Sequence, residues 1–161
     1  MSKGTRTASW LDDRSASIDL RRAIDDRTAT TVVNRAEWLG ESDRALVLAV
    51  FRDGLSATMV ARLRGHDARQ VRRLVARAAA RVLDPLAVFV AVRSQEWSPA
   101  RARVGQAVFH HGCSLRDSSS KLGLSLYTVR KHRDAIEHMF ESERHGATRD
   151  DASRRPDRSW R

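Results

Sequence analysis

Residues 122–132 read LGLSLYTVRKH. A glycine, a serine two places on and then a Thr-Val-Arg-Lys run describe a tight turn feeding a helix. Gly123 can adopt a positive φ that other residues reach only with strain, and Ser125 is a helix-capping type. The preceding patch DSSSK, residues 117–121, is oddly polar for a helix that has to bury one side. Whether this is a surface helix start or half of a DNA-reading motif depends on what surrounds it.

Sliding the chain by 58 positions gives the answer, because the stretch has a partner. AVFRDGLS (49–56) meets AVFHHGCS (107–114), Gly65 meets Gly123, and Val71-Arg72 meets Val129-Arg130. Eight of the 24 positions from Ala49 to Arg72 are identical, against a background of roughly one in fifteen. Upstream, with one inserted residue, Glu37-Trp38 aligns with Glu96-Trp97. The chain therefore divides into an N-terminal tail over 1–27, a first unit over 28–84, a second over 85–144 and a C-terminal tail over 145–161. Both tails are polar and without apolar period, which predicts disorder, with a short helix over 17–27 left open.

Each unit reads as helices with tight joints. In the first, Ser42 is the expected cap of a helix carrying Leu46, Ala49 and Val50, and Gly54 breaks it. Ser56 caps a short helix with Val60 and Leu63 inside. Gly65 ends that helix and Asp67 caps the next, where Val71, Val75, Ala78 and Val82 recur at i, i+4, i+7 and i+11. In the second, Ser98-Pro99 pairs a cap with a first-turn proline, and Val104 and Val108 face inward. Gly112 breaks the helix and Ser114 caps its successor. Gly123 turns, Ser125 caps, and Val129, Ile136 and Phe140 form the last stripe. Leu86–Val92, after Pro85, starts a fresh helix, with a strand as the alternative and a dimer face as a second use. The expected fold class is all-α, two tandem helix-turn-helix units of three to four helices with disordered termini.

Lys and Arg total 30 against 20 acidic residues, for a net charge of +10 and a pI near 11.3. A balance this basic predicts a polyanion partner, nucleic acid before membrane. Only Lys3, Lys121 and Lys131 are lysines, so codon bias toward arginine contributes to the excess. No apolar run approaches the ~18 residues of a membrane span, and the N-terminus lacks an apolar signal core. The single Cys113 excludes an intrachain disulfide and fits a reducing compartment. A cytoplasmic, nucleoid-associated protein is expected.

A short helix, a glycine turn and a longer basic helix is the helix-turn-helix layout. GLSATMVARLRGHDARQVRRLVARA (54–78) resembles the promoter-element-binding region 4 of bacterial sigma factors in its Gly-Leu-Ser start, Ala61, Gly65 and Val71-Arg72. GCSLRDSSSKLGLSLYTVRKHRDAI (112–136) resembles both that region and the DNA-binding domain of LuxR-type regulators, whose LGLS-x-x-TV-[KR] signature matches residues 122–130. The resemblance covers more than half the chain. It implies base-reading roles for Arg69, Gln70, Arg72 and Arg73 in the first unit and Tyr127, Thr128, Arg130 and Lys131 in the second. Arginine can fork onto guanine and glutamine onto adenine. Ser56, Arg62, Arg64, Arg77 and Ser114 are the candidates for phosphate contact.

The second unit departs from the family pattern: Ser118 stands where the first unit has Val60, Arg133 replaces Val75 and His132 replaces Leu74. In the first, Arg64 and His66 occupy positions that are usually apolar. The residues ahead of the first unit are too few for a promoter-melting region, so a complete sigma factor is not expected. No phosphoreceiver or ligand-sensing domain is expected either.

His110-His111-Gly112-Cys113 holds three metal-type ligands, but adjacent helical histidines point about 100° apart and no matching pair follows. A helix end with Cys113 in the position of Leu55 is the better reading, so no metal and no cofactor are expected. Asp25-Asp26 and Asp150-Asp151 have no nucleophile or base beside them, and no phosphate-cradling glycine loop exists, so an enzyme is not expected. Trp38 and Trp97, at matching places, read as packing anchors. The expectation is a sequence-specific transcriptional regulator acting on double-stranded DNA. The alternatives are an adaptor binding RNA polymerase or a sigma factor, and an architectural DNA-binding accessory; a homodimer stays open.

Overall fold

The computed structural model describes residues 25–153, with side chains from Asp25 to Gly146, so the N-terminal tail before Asp25 and residues 154–161 lie outside the described residues. Eight α-helices and no strand make up the described residues: α1 (Asp26–Asn34), α2 (Glu41–Val47), α3 (Ala57–Arg64), α4 (Ala68–Leu83), α5 (Pro85–Arg93), α6 (Pro99–Gly105), α7 (Leu115–Leu122) and α8 (Leu126–Ser153). The protein is all-α. No described helix is long and apolar enough to cross a membrane. Leu86–Val92 is helical, with Ala87 and Val90 buried. The first unit's helices begin before Thr28, at Asp26, and α8 passes Arg144 and runs to Ser153.

The sequence sets these boundaries through side-chain caps that satisfy the orphan N–H groups of each first turn. Asp25 accepts from the Thr28 N–H at 2.8 Å, Asp67 from Arg69 and Gln70 at 2.7 and 3.1 Å, and Asp84 from Leu86 at 2.8 Å ahead of Pro85. Ser56 accepts from Met59, Ser114 from Asp117 and Ser125 from Thr128. Ser42 does not cap. The helix starts two residues earlier than a Ser42 cap would place it, at Glu41, with Gly40 in the cap position. Glu41 and Asp43 in the first turn complement the helix dipole instead.

Structure repeats with the same 58-residue period as sequence. α2 widens into a π turn over Leu48–Arg52 and α6 does the same over Gln106–His110. Each π turn ends in a left-handed glycine, Gly54 (φ 72°) and Gly112 (φ 66°), and each α3- or α7-type helix ends in another, Gly65 (φ 66°) and Gly123 (φ 65°). These four are the only positive-φ residues among those described. The expected inserted residue is absent. The 3₁₀ turns Ala36–Trp38 and Ser94–Glu96 sit 58 apart, so Leu39, and not Trp38, corresponds to Trp97.

Side chains trade volume across that correspondence. Leu39 and Val47 are both buried in the first unit. In the second their places hold Trp97 and Gly105, and a Cβ on Gly105 would sit 3.1 Å from Val90 Cγ1 and 3.3 Å from the Trp97 ring. A larger residue at one position needs a smaller one at the other because interiors are close-packed.

The first unit owns the main core. Val32, Leu46, Val47, Val50, Phe51, Val60, Val71, Val75, Ala78 and Val82 are buried in one cluster, including the whole stripe expected on α4. Each buried valine contributes about 1.5–3 kcal/mol by leaving water. Leu63, expected inside, is 76% exposed. The eight-residue α3 turns Ala57, Val60 and Ala61 inward, which leaves Leu63 on the outer flank. Val108 and Phe140 are only half-buried. The second core is thinner: Val90, Val104, Val129 and Ile136 are fully buried, but Val60 is replaced by Ser118, whose buried Oγ has no hydrogen-bond partner among the described residues. An unpartnered buried hydroxyl costs about 1–3 kcal/mol.

That second unit leans on the first. α4 packs against α5 and the π turn ending α6. Trp38 stacks on His110 at 5.2 Å and 17°, and the His110 Nε2 bonds the Ala87 carbonyl at 2.9 Å. Arg81 on α4 donates to Asp43 at 2.8 Å while its guanidinium lies against Gly112, in the space a Cβ there would need. Gly123 shares the left-handed φ but faces open space. Gly112→Ala and Gly123→Ala both carry the left-handed strain, about 1–2 kcal/mol. Gly112→Ala also displaces Arg81 from Asp43. Urea denaturation is expected to show the larger loss for Gly112→Ala, with the excess reduced in an Asp43→Ala background.

Candidate nucleic-acid interface

Burial of Val71, Val75, Ala78 and Val82 leaves the opposite face of α4 to solvent. Arg69, Gln70, Arg73 and Arg77 are exposed on it, with Arg62 and Arg64 exposed at the end of α3 across the Gly65 turn. No carboxylate among the described residues pairs with Arg62, Arg64, Arg69, Arg73 or Arg77, whereas Arg81 is committed to Asp43. Arg72 is half-buried and engaged by a neighbour, so it differs from the other α4 arginines expected to read bases. Ser56, at the head of α3, uses its Oγ to accept from Met59 N–H at 3.2 Å.

The second unit places Tyr127, 75% exposed, beside exposed Arg130 and Lys131 at the head of α8. Thr128 is less free. Its N–H and hydroxyl both bond the Ser125 Oγ, at 3.1 and 2.8 Å. Ser114 is closed in another way: its Oγ donates to the Asp117 carboxylate at 2.7 Å while accepting from the Asp117 N–H. A phosphate approaching Ser114 would meet a negative charge first. The polar patch DSSSK thus supplies Asp117, whose carboxylate accepts from the capping Ser114 hydroxyl, a buried Ser118, and Ser119, whose hydroxyl donates to the Leu124 carbonyl at 2.6 Å.

Two surface features escaped sequence reasoning. Arg116 is exposed on α7 and adds a cation that only the overall charge could have signalled. Met59 and Leu63, 50% and 76% exposed, form an apolar pair one turn apart on α3. The pairing of Asp117 with Ser114 could have been anticipated, because a carboxylate three residues after a capping serine is the capping-box spacing.

The histidine-cysteine cluster disperses. His110 is buried against Trp38 and Ala87, His111 is exposed, and Cys113 is half-buried with Lys121 Nζ 3.3 Å from its Sγ. No group of three His, Cys, Asp or Glu side chains among the described residues could hold a metal ion. Burial lowers the His110 pKa below 6.5, opposed by its bond to the Ala87 carbonyl and assisted by His111. His111, exposed as it is, is lowered by partial desolvation, with the positive Lys121 and Arg81 adding to the shift, and desolvation lowers His132, with Arg101 and Lys131 adding.

Comparison with known protein families, curated proteins and solved structures returns no match. What the molecule defines is therefore a class by architecture: an all-α chain whose helix series recurs 58 residues on and exposes an arginine face on the first copy.

A histidine whose folded pKa is depressed stabilises the fold above its ordinary value, and that stability is lost as pH falls through the folded pKa. With His110, His111 and His132 all shifted down from 6.5, the melting temperature is expected to drop as pH falls from about 7.5 to about 5.5. The carboxylates of Asp25 and Asp53, lowered from 3.8 by their hydrogen bonds, act only in more acid solution. His110→Phe keeps an aromatic ring on Trp38 and should flatten the drop. An unchanged pH profile in that variant would assign the effect elsewhere.

Proposed function

We propose that this protein is a sequence-specific, double-stranded-DNA-binding transcriptional regulator, acting through two helix-turn-helix units in the bacterial cytoplasm at the nucleoid. The observation that carries the reading is the set of exposed arginines with no carboxylate partner among the described residues, Arg62, Arg64, Arg69, Arg73 and Arg77, on α3 and α4 around the left-handed Gly65 turn. Unpaired surface arginines repel one another unless a polyanion neutralises them, and neutralised phosphates release counterions that drive binding. In a helix-turn-helix the second helix enters the major groove with its N-terminal residues at base edges. Arg69, Gln70 and Arg73 hold those positions on α4, and Tyr127, Arg130 and Lys131 hold them on α8. Arg72 and Thr128 belong to the same sets and are already engaged by neighbours.

A second reading has one observation in its favour. The exposed pair Met59 and Leu63 suits protein contact more than phosphate, as an adaptor on RNA polymerase or a sigma factor would require. The two readings separate by mutation. Selection of bound sequences from random DNA is expected to enrich a motif with the wild-type chain. Arg69→Ala with Arg72→Ala, or Arg130→Ala with Lys131→Ala, should each erase the part of the motif that its own unit reads. Enrichment of nothing over background at moderate salt sinks the regulator. Retained promoter activity in both double variants, with loss in Met59→Asp plus Leu63→Asp, establishes the adaptor.

A further inference from the structure

We propose that the grip on nucleic-acid phosphates belongs to the first unit alone, and that in the second unit the same surface has been closed by acidic residues and turned over to contact with base edges. This rests on the DNA-binding reading above and names which part of that surface does what.

Equal windows of the two units differ sharply in charge. From Ser56 to Leu83 there are seven arginines and one aspartate, a balance of +6; from Ser114 to Glu141 there are five cations and four carboxylates, a balance of +1. Most of the lost arginines come from the exposed face, while Arg133, Asp134 and Glu137 stand where the first unit buries Val75, Ala76 and Ala79. The five exposed, unpaired arginines of the first unit, Arg62, Arg64, Arg69, Arg73 and Arg77, correspond to Ser120, Leu122, Tyr127, Lys131 and Ala135. Four of the five lose their charge. Met59, in the first turn of α3, corresponds to Asp117, whose carboxylate holds the Ser114 hydroxyl at 2.7 Å. Arg133, a cation with no counterpart in the first unit, is held by Glu137 at 3.0 Å and lies 3.4 Å from Asp134.

The lost arginines and added carboxylates weaken attraction for phosphate in the second unit more than its own exposed cations Arg116 and Lys121, in the places of Thr58 and Leu63, restore it, and three exposed side chains stay at the base-reading places. Tyr127, Arg130 and Lys131 remain exposed at the head of α8. An aromatic ring and two cations there can meet base edges and thymine methyl groups without a surrounding field that binds any duplex. The division is thus between a first unit that adds a sequence-blind grip to its base contacts and a second unit that only reads.

The test is fluorescence anisotropy of the full chain on a random-sequence duplex across a salt series. Two double variants remove the same charge from exposed positions, Arg64→Gln with Arg77→Gln and Arg130→Gln with Lys131→Gln, and circular dichroism checks that each remains folded. Each lost phosphate contact flattens the slope of log K against log salt by about 0.9. The first pair is expected to flatten it by about 1.8 and weaken binding at least ~10-fold, and the second by less than about 0.5. Asp117→Asn, which keeps the shape and removes the charge, should tighten binding several-fold and steepen the slope. Equal losses from the two pairs, or an inert Asp117→Asn, overturn the division while leaving DNA binding in place. A wild-type chain with no salt-dependent affinity for duplex overturns both.

Discussion

Everything on the candidate surface depends on a backbone conformation that glycine alone adopts without strain. Gly54 and Gly65 in the first unit, and Gly112 and Gly123 in the second, hold left-handed φ values within a few degrees of one another. They end the π turn and the short helix at the same two places in each copy. Without the Gly65 turn, α3 and α4 could not meet at an angle that buries Val60 and Ala61 on one helix and Val71 and Val75 on the other. The arginines would then not converge around a single turn. Gly112 has a second duty, because Arg81 occupies the volume its side chain would fill and ties α4 and Asp43 to the head of the second unit.

The copies share this frame and differ in what they hang on it. The first invests in apolar packing, with Val60, Val75, Ala76 and Ala79 buried along α3 and α4. At the corresponding places the second carries Ser118, Arg133, Asp134 and Glu137. Such a unit buries too little apolar surface to be as stable by itself, and it recovers support through α5, the Trp38–His110 stack and the Arg81 contact.

Much of this was legible in the sequence, because it is written in short-range chemistry. The 58-residue period, the capping roles of Ser56, Asp67, Ser114 and Ser125, and the stripe Val71, Val75, Ala78, Val82 follow from local spacing. What failed depended on geometry beyond a turn or two. Ser42 has a capping side chain, but the chain had already entered the helix at Glu41. Leu63 matches a helical period from Val60, yet a helix of eight residues faces the core over too narrow an arc to include it. Trp38 and Trp97 look equivalent by identity, whereas the volume exchange between Leu39–Val47 and Trp97–Gly105 shows the true register. On the candidate site, residue type pointed to the exposed arginines of α4, but not to the engagement of Arg72 and Thr128 with neighbours.

The central claim is that the face built around the Gly65 turn is where nucleic acid sits. Hydrogen–deuterium exchange of the full chain, with and without duplex DNA, tests it most directly. The account predicts slowed exchange on DNA addition at the end of α3 and the first turns of α4, a smaller effect at the head of α8, and none in α1 or α5. Slowing confined to α1 or α5, or no change on adding DNA at low salt, would contradict it.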